Sequence, residues 1–240
     1  MTALNALLKH GADPRIVDME GSPPIFHAVM ADNLPCVSAL ISSAAKLRTV
    51  NVFGGTVIHI ACAGSDNPAM LKLLIEEGNI DINAIDYDGD TALNYAARAK
   101  FDNNARFLLD AGADPNIANV AGETAVHMAI YWNASGTLEE LVARGIDFKH
   151  TNSRKATLLH AVAGHFDPQM LKILRRATSL KDVDRDVVDI DGYTCFDYLA
   201  VVGDEIGTAM RVTAFQEFLD EIGNYDESDS DSFEDAIEYI

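Results

Sequence analysis

Basic residues are scarce in this chain of 240 residues: 18 lysines and arginines stand against 37 aspartates and glutamates, a formal net charge of −19. Reading nucleic-acid phosphates or an anionic membrane needs a positive footprint, so the deficit excludes both as partners. Cysteine is scarcer still. Cys36, Cys62 and Cys195 lie far apart, which excludes a disulfide framework and a zinc knuckle. No stretch approaches the roughly 20 apolar residues of a membrane span. Met1-Thr2-Ala3-Leu4-Asn5 lacks the basic segment followed by an apolar one that marks a secretory signal. Gly-x-Gly-x-x-Gly, the Walker loop and Gly-x-Ser-x-Gly are all missing. With 48% hydrophobic and 23% charged residues, the composition is that of a folded chain. The expectation is a soluble, acidic, intracellular protein, cytoplasmic or nuclear.

What the chain does contain is a repeat, and fixed-period repetition decides architecture. Gly-Ser-Pro-Pro-Ile-Phe at 21–26 returns as Gly-Gly-Thr-Val-Ile-His at 54–59 and Gly-Asp-Thr-Ala-Leu-Asn at 89–94. It returns again as Gly-Glu-Thr-Ala-Val-His at 122–127, Lys-Ala-Thr-Leu-Leu-His at 155–160 and Gly-Tyr-Thr-Cys-Phe-Asp at 192–197. The third position falls at 23, 56, 91, 124, 157 and 194, with steps of 33, 35, 33, 33 and 37 residues.

Each unit has its own local physics. Thr56, Thr91, Thr124, Thr157 and Thr194 stand where a helix N-cap belongs, and Pro24 stands at a first helical position, where its missing N–H costs nothing. A second apolar run of helical spacing follows, as in Met70-Leu71-Leu73-Leu74 after Asp66-Asn67-Pro68 and Met170-Leu171-Ile173-Leu174 after Asp167-Pro168. Gly78, Gly112 and Gly145 are expected to end second helices in left-handed caps. Asp81-Ile82-Asn83 and Asp114-Pro115-Asn116 then lead toward the next glycine turn, a hairpin tip.

On these residues the chain resembles the ankyrin repeat family. The most specific matches are Thr-x-[Leu/Ile/Val]-His, His10-Gly11-Ala12-Asp13-Pro14 and Ala111-Gly112-Ala113-Asp114-Pro115-Asn116. The resemblance implies an all-α repeat solenoid of helix-turn-helix repeats joined by β-hairpin loops, over about residues 3–222. The signature proline is replaced by Val57, Ala92, Ala125, Leu158 and Cys195, and Lys155 replaces a hairpin glycine. Expected bounds are a half repeat at 1–16, repeats at about 17–49, 50–84, 85–117, 118–150, 151–187 and 188–223, and a short disordered acidic tail at 224–240. Leu4, Leu7 and Leu8 read as a second helix lacking its first, so the chain is expected to open inside a repeat. In the tail, Phe233, Ile237 and Ile240 share one face of a short helix, and Ser228 and Ser232 each precede an acid by three residues.

The residues that invite chemistry have plainer readings. His59, His127 and His160 occupy one repeat position, so they are about one period apart and share no site; the resemblance implies that they stabilise the turn between repeats. The aspartates at 182, 184, 186, 189 and 191 fail as a calcium loop, because Val187 and Tyr193 stand where a glycine and a bidentate Glu are needed. Cys62 and Cys195 read as buried small hydrophobes. Nothing assembles a nucleophile, a base and a stabiliser of charge, so no enzyme, cofactor or metal is expected.

The resemblance implies partners on the concave face, touching hairpin tips and inner helices. Carried over unit by unit, this selects Met19, Glu20, Ser22 and Met30; Val52 and Phe53; Tyr87, Asp90 and Arg98; Val120, Glu123, Tyr131 and Trp132; Arg154; and Ile190, Asp191 and Tyr193. Aromatics and arginine are the residue types enriched at binding hot spots. The acidic balance favours basic segments on the partner. The leading expectation is therefore a monomeric, non-catalytic protein-interaction scaffold. Two alternatives stand beside it: a regulatory or targeting domain of a larger enzyme or receptor, and a substrate of an asparaginyl hydroxylase at Asn83 and Asn116, the second implied by the resemblance.

Overall fold

The computed structural model describes residues 2–43, 45–78, 80–165, 167–177, 180, 183–201 and 205–224. The tail residues Ser228, Ser232, Phe233, Ile237 and Ile240 lie outside the described residues. A first helix, α1 (Thr2–Lys9), is followed by alternating short helices. The inner series is α2 (Pro24–Met30), α4 (Val57–Gly64), α6 (Ala92–Ala99), α8 (Ala125–Tyr131), α10 (Leu158–Gly164) and α12 (Cys195–Val201). The outer series is α3 (Leu34–Ser42), α5 (Pro68–Gly78), α7 (Asp102–Asp110), α9 (Ser135–Ala143), α11 (Pro168–Leu174) and α13 (Glu205–Asn224). The fold is that of the ankyrin repeat, helical and, among the described residues, without a sheet. Among the described residues the hairpin loops carry only isolated bridges, Ile85 with Thr91 and Thr151 with Thr157, and no regular strand.

Helices of seven or eight residues are too short to persist alone in water, so packing must hold them. The chain falls into two compact units, residues 1–141 and 142–240. In the first, α2, α4, α6 and α8 pack side by side, and α2, α4 and α6 each also pack against their own outer helix. Ile25, Phe26, Ile58, Leu71, Leu74, Leu93, Leu108 and Ile130 are fully buried there. In the second, α10 packs on α12 and α12 on α13. The long α13 buries Phe215, Phe218 and Leu219, with the Phe215 ring edge-on to Phe196 at 5.8 Å. Arg175–Glu221 (2.6 Å) and Arg185–Asp220 (3.3 Å) tie α13 to the segments before it.

The inner helices begin one residue after Thr56, Thr91, Thr124, Thr157 and Thr194, as the capping argument requires, and Pro24 opens α2. The caps are reciprocal. His59, His127 and His160 accept the backbone N–H of Thr56, Thr124 and Thr157 at 3.1 Å, the role Glu or Gln plays in an ordinary capping box. The outer helices show a device absent from the expectations. Asp66 accepts from the Asn104 N–H (2.8 Å) and Asp102 from the Thr137 N–H and hydroxyl (both 2.8 Å), each carboxylate capping the outer helix one repeat on. A Cβ on Gly136 would lie 2.4 Å from an Asp102 oxygen, so only glycine lets α9 approach that cap.

One helix stop differs from expectation. Gly112 and Gly145 are left-handed (φ +92° and +68°), but Gly78 is the last residue of α5 and is not. A Cβ there would sit 2.8 Å from the Leu47 Cδ1 methyl, so this glycine ends its helix beside the Leu47 side chain rather than in a left-handed bend.

Candidate interaction surface

Six five-residue turns, 18–22, 51–55, 86–90, 119–123, 152–156 and 189–193, repeat one hydrogen-bond pattern. The first residue is Asp18, Asn51, Asp86, Asn119, Asn152 or Asp189, and its Oδ1 accepts from the third and fifth N–H groups at 2.9–3.1 Å. Its backbone N–H donates to the fifth carbonyl, and its carbonyl accepts from the fourth N–H. This last bond needs a left-handed fourth residue: Gly21, Gly54, Gly89, Gly122 and Gly192 lie at φ +73° to +83°, and Lys155 is forced to +60°.

Within the first unit, successive turns are stitched together. Val52 N–H donates to the Glu20 carbonyl (2.9 Å), Tyr87 N–H to Phe53 (3.1 Å) and Val120 N–H to Asp88 (2.9 Å). In the second unit Ile190 N–H donates likewise to Arg154 (2.9 Å). The second residues of the turns thus stand in register, and they are apolar: Met19, Val52, Tyr87 and Val120 in the first unit. Their exposures are 100%, 52%, 70% and 73%, and neighbouring Phe53 is 66% exposed. Solvent-exposed apolar side chains aligned on a hydrogen-bonded backbone make this row the candidate contact surface.

Beneath the turns, two clusters of the same design fix tip to helix. Tyr95 donates its hydroxyl to Asp86 (2.8 Å), and its ring stands edge-on to His59 at 5.3 Å. His59 Nδ1 receives the Thr56 N–H, so Nε2 carries the proton and donates to the Asp90 carbonyl (3.0 Å). The second unit repeats this with Tyr198 on Asp189 (2.8 Å), its ring 5.2 Å from His160, and His160 Nε2 on the Tyr193 carbonyl (3.0 Å). Burial, and then its carboxylate partner, pushes the Tyr95 phenol up; burial pulls His59 below its ordinary value, keeping it neutral. In the first turn, His27 takes the tyrosine's place on Asp18 at 2.8 Å. The Ser22 amide and then His27 hold that carboxyl below the usual range.

The residues selected from sequence separate into two groups. Met19, Glu20, Val52, Phe53, Tyr87 and Val120 are exposed on the tips of the first unit, and Arg154 and Tyr193 are exposed in the second. Trp132, at the C-terminal end of α8, is 48% exposed; Tyr131 and Glu123 are half-buried. Asp90 is buried instead. Its carboxylate accepts from Asn94 (3.1 Å) and Asn119 (2.8 Å) and pairs with Arg98, whose guanidinium lies 5.4 Å from the Tyr95 ring centre. Asp90 therefore positions Arg98, and the half-exposed arginine is the group that faces outward. Arg154 pairs with Asp191, with both partners exposed.

Among the described residues no group of three or more His, Cys, Asp and Glu could hold a metal ion. Cys62 and Cys195 are buried, and burial raises both thiols, Cys195 to about 11, so neither is an activated nucleophile. Among the described residues, no helix is long and apolar enough to cross a membrane.

Known proteins resemble this chain in sequence and in fold. The B-cell lymphoma 3 protein of Homo sapiens is 31% identical over 155 residues, covering 60% of this chain and 34% of that protein. The nuclear factor NF-kappa-B p105 subunit of Gallus gallus is 33% identical over 120 residues, 48% of this chain and 12% of that protein. This chain thus spans well under two thirds of these relatives. Among solved structures, the ankyrin repeat domain of Bcl-3 superposes with a TM-score of 0.70 at 21% identity, covering 90% of this chain and 91% of that one. The human ASB11 ankyrin repeat domain gives 0.70 at 17% identity, covering 88% and 92%. Such folds are in general non-catalytic interaction modules. The family described as Ankyrin repeats (3 copies) matches residues 1–86, 44–119 and 88–152, more than half of the sequence, and with the six turns and their caps it follows that the chain belongs to the ankyrin repeat family.

Proposed function

We propose that this chain is a non-catalytic interaction module that holds a partner protein across its hairpin tips and inner helices. The observation that carries the reading is the in-register row Met19, Val52, Tyr87 and Val120, apolar and exposed on a stitched backbone. Phe53, Trp132 and Arg98 add the side-chain types that dominate binding energy. Asp90, Tyr131 and Glu123 complete the surface of the first unit, Asp90 through Arg98, and the second unit by itself offers Arg154 and Tyr193. The acidic balance favours partners with basic segments, and a net charge of −19 opposes self-association, so the module acts as a monomer. Free cysteines suit a reducing compartment, cytoplasmic or nuclear.

The test is quantitative capture from native lysate by the full chain and by a variant with Phe53, Tyr87, Tyr131 and Trp132 changed to serine, its helicity checked by circular dichroism. A partner held by the first and lost by the second supports the reading. Identical partners on both would overturn it.

A second reading is that the module regulates or targets a larger enzyme or receptor. It is favoured by the 12% and 15% of length that the chain spans in p105 and in the human transient receptor potential channel A1. Modification by an asparaginyl hydroxylase is a third. Asn116 is exposed, and Asn83 accepts the Asp114 N–H at 2.9 Å, so both lie in one row of turns. Unshifted masses for both peptides from native material would remove it.

A further inference from the structure

We infer that the tip row of the first unit receives a basic amphipathic helix of the partner, bound through side chains alone. The inference rests on the interaction reading above and names the partner's chemistry. It begins with the backbone of the tips. In the turns 51–55, 86–90 and 119–123 every N–H from first residue to fifth already has an acceptor within the chain. An added strand needs free donors alternating with acceptors along an edge, and these turns offer no donor. Recognition therefore falls to side chains.

The side chains present an apolar strip with an acidic rim. Met19, Val52, Phe53, Tyr87 and Val120 form the strip. Around it, the stretches 17–22, 50–56, 85–91 and 118–124 contain six acids (Asp18, Glu20, Asp86, Asp88, Asp90, Glu123) and no lysine or arginine. His27 and Arg98, from the helices below, are paired to Asp18 and Asp90. Asp86 receives Tyr95. Glu20, Asp88 and Glu123 remain without an ion pair among the described residues.

A helix is the form of peptide that satisfies its own backbone while laying an apolar stripe on a surface. Lysines and arginines flanking such a stripe would cover the tip side chains with their stems and reach Glu20, Asp88 and Glu123 with their heads. The aromatic tips then anchor, and the acids steer encounter and select against acidic helices.

The experiment uses the full chain and three labelled synthetic peptides of equal length, followed by fluorescence anisotropy. One is a Leu/Lys peptide with apolar residues at helical spacing, one a Val/Lys peptide of equal charge with strict alternation, and one the Leu/Glu counterpart of the first. The helical Leu/Lys peptide is expected to bind, the alternating peptide to bind about tenfold more weakly, and the Leu/Glu peptide not to bind. Phe53→Ser with Tyr87→Ser is expected to weaken the helical peptide by about tenfold or more, while Met210→Ser, exposed on α13, leaves it unchanged. Equal binding of the alternating peptide, or no effect of the tip substitutions, overturns the inference. If the tip substitutions abolish capture of the native partner but not peptide binding, the helix falls and the interaction reading stands. If they affect neither, both fall.

Discussion

The turns 86–90 and 119–123 share one backbone hydrogen-bond pattern but open on different side chains, Asp86 and Asn119, and that difference reaches nine residues away. At Asp86 the second carboxylate oxygen needs a donor, and Tyr95 supplies it. At Asn119 that position is an amide nitrogen, which donates to Asp90 at 2.8 Å and asks for nothing from its own inner helix. The rule holds through the chain. Asp18, Asp86 and Asp189 have His27, Tyr95 and Tyr198 nine residues on, whereas Asn51, Asn119 and Asn152 have Ile60, Met128 and Ala161. The Asn repeats place a histidine one residue earlier (His59, His127, His160), the Asp repeats Phe26, Asn94 or Asp197. Where an Asn repeat precedes an Asp repeat, as at 51 then 86 and at 152 then 189, the histidine of the first meets the tyrosine of the second. Pairing an Asn turn with a following Asp turn thus locks those neighbouring repeats together.

Breaking the shared turn should have the largest effect. Gly54→Ala puts a side chain at φ +78° and its Cβ 2.7 Å from the Tyr87 nitrogen, backbone that cannot yield. Urea unfolding should show a loss of about 3 kcal/mol or more. His59→Ala strips partners from the Thr56 N–H and the Asp90 carbonyl, and the same assay should register about 2–3 kcal/mol. Tyr95→Phe leaves Asp86 Oδ2 without its donor at a cost of about 1–3 kcal/mol. Asp86→Asn should recover part of that loss in the Tyr95→Phe background, because it recreates the Asn type of turn, and the double-mutant cycle reads the coupling directly.

Smaller effects sharpen the comparison. Lys155 carries a left-handed turn that glycine carries in the other five, so Lys155→Gly should stabilise by about 1 kcal/mol, visible as a higher urea midpoint. pH separates the buried histidine from the exposed pairs. His59 has a folded pKa below its ordinary 6.5, so the unfolded chain takes up that proton first as pH falls. Its contribution is complete above 6.5 and is lost below it, and stability should therefore rise with pH through the window under 6.5. His59→Asn, which copies the residue at Asn94, should flatten that rise in unfolding curves taken at several pH values.

Much of this was legible from residues alone, because a period of 33 to 37 residues with Thr caps leaves little freedom in where helices start. The inner helices begin one residue past the capping position in each case. Spacing could not show how a given glycine is used: Gly78 and Gly112 look alike in sequence, yet one ends its helix beside Leu47 and the other makes a left-handed bend. It also could not show that Asp90 is buried, since burial depends on Asn119 arriving from the next repeat. The coupling of Asp18, Asp86 and Asp189 to their partners nine residues on was present as a pattern. It becomes visible only when Asp and Asn, interchangeable as turn formers, are treated as different hydrogen-bonding groups.

Partners are expected to cover the tip row of the first unit. Hydroxyl-radical footprinting of the free chain and of the complex captured from lysate, read by mass spectrometry, tests it most directly. Met19, Phe53, Tyr87 and Met210 are all open in the free chain, at 100%, 66%, 70% and 71% exposure, so each should be oxidised there. The account predicts that Met19, Phe53 and Tyr87 become shielded in the complex while Met210 stays reactive. Shielding of Met210 with the three tip residues unchanged would contradict it.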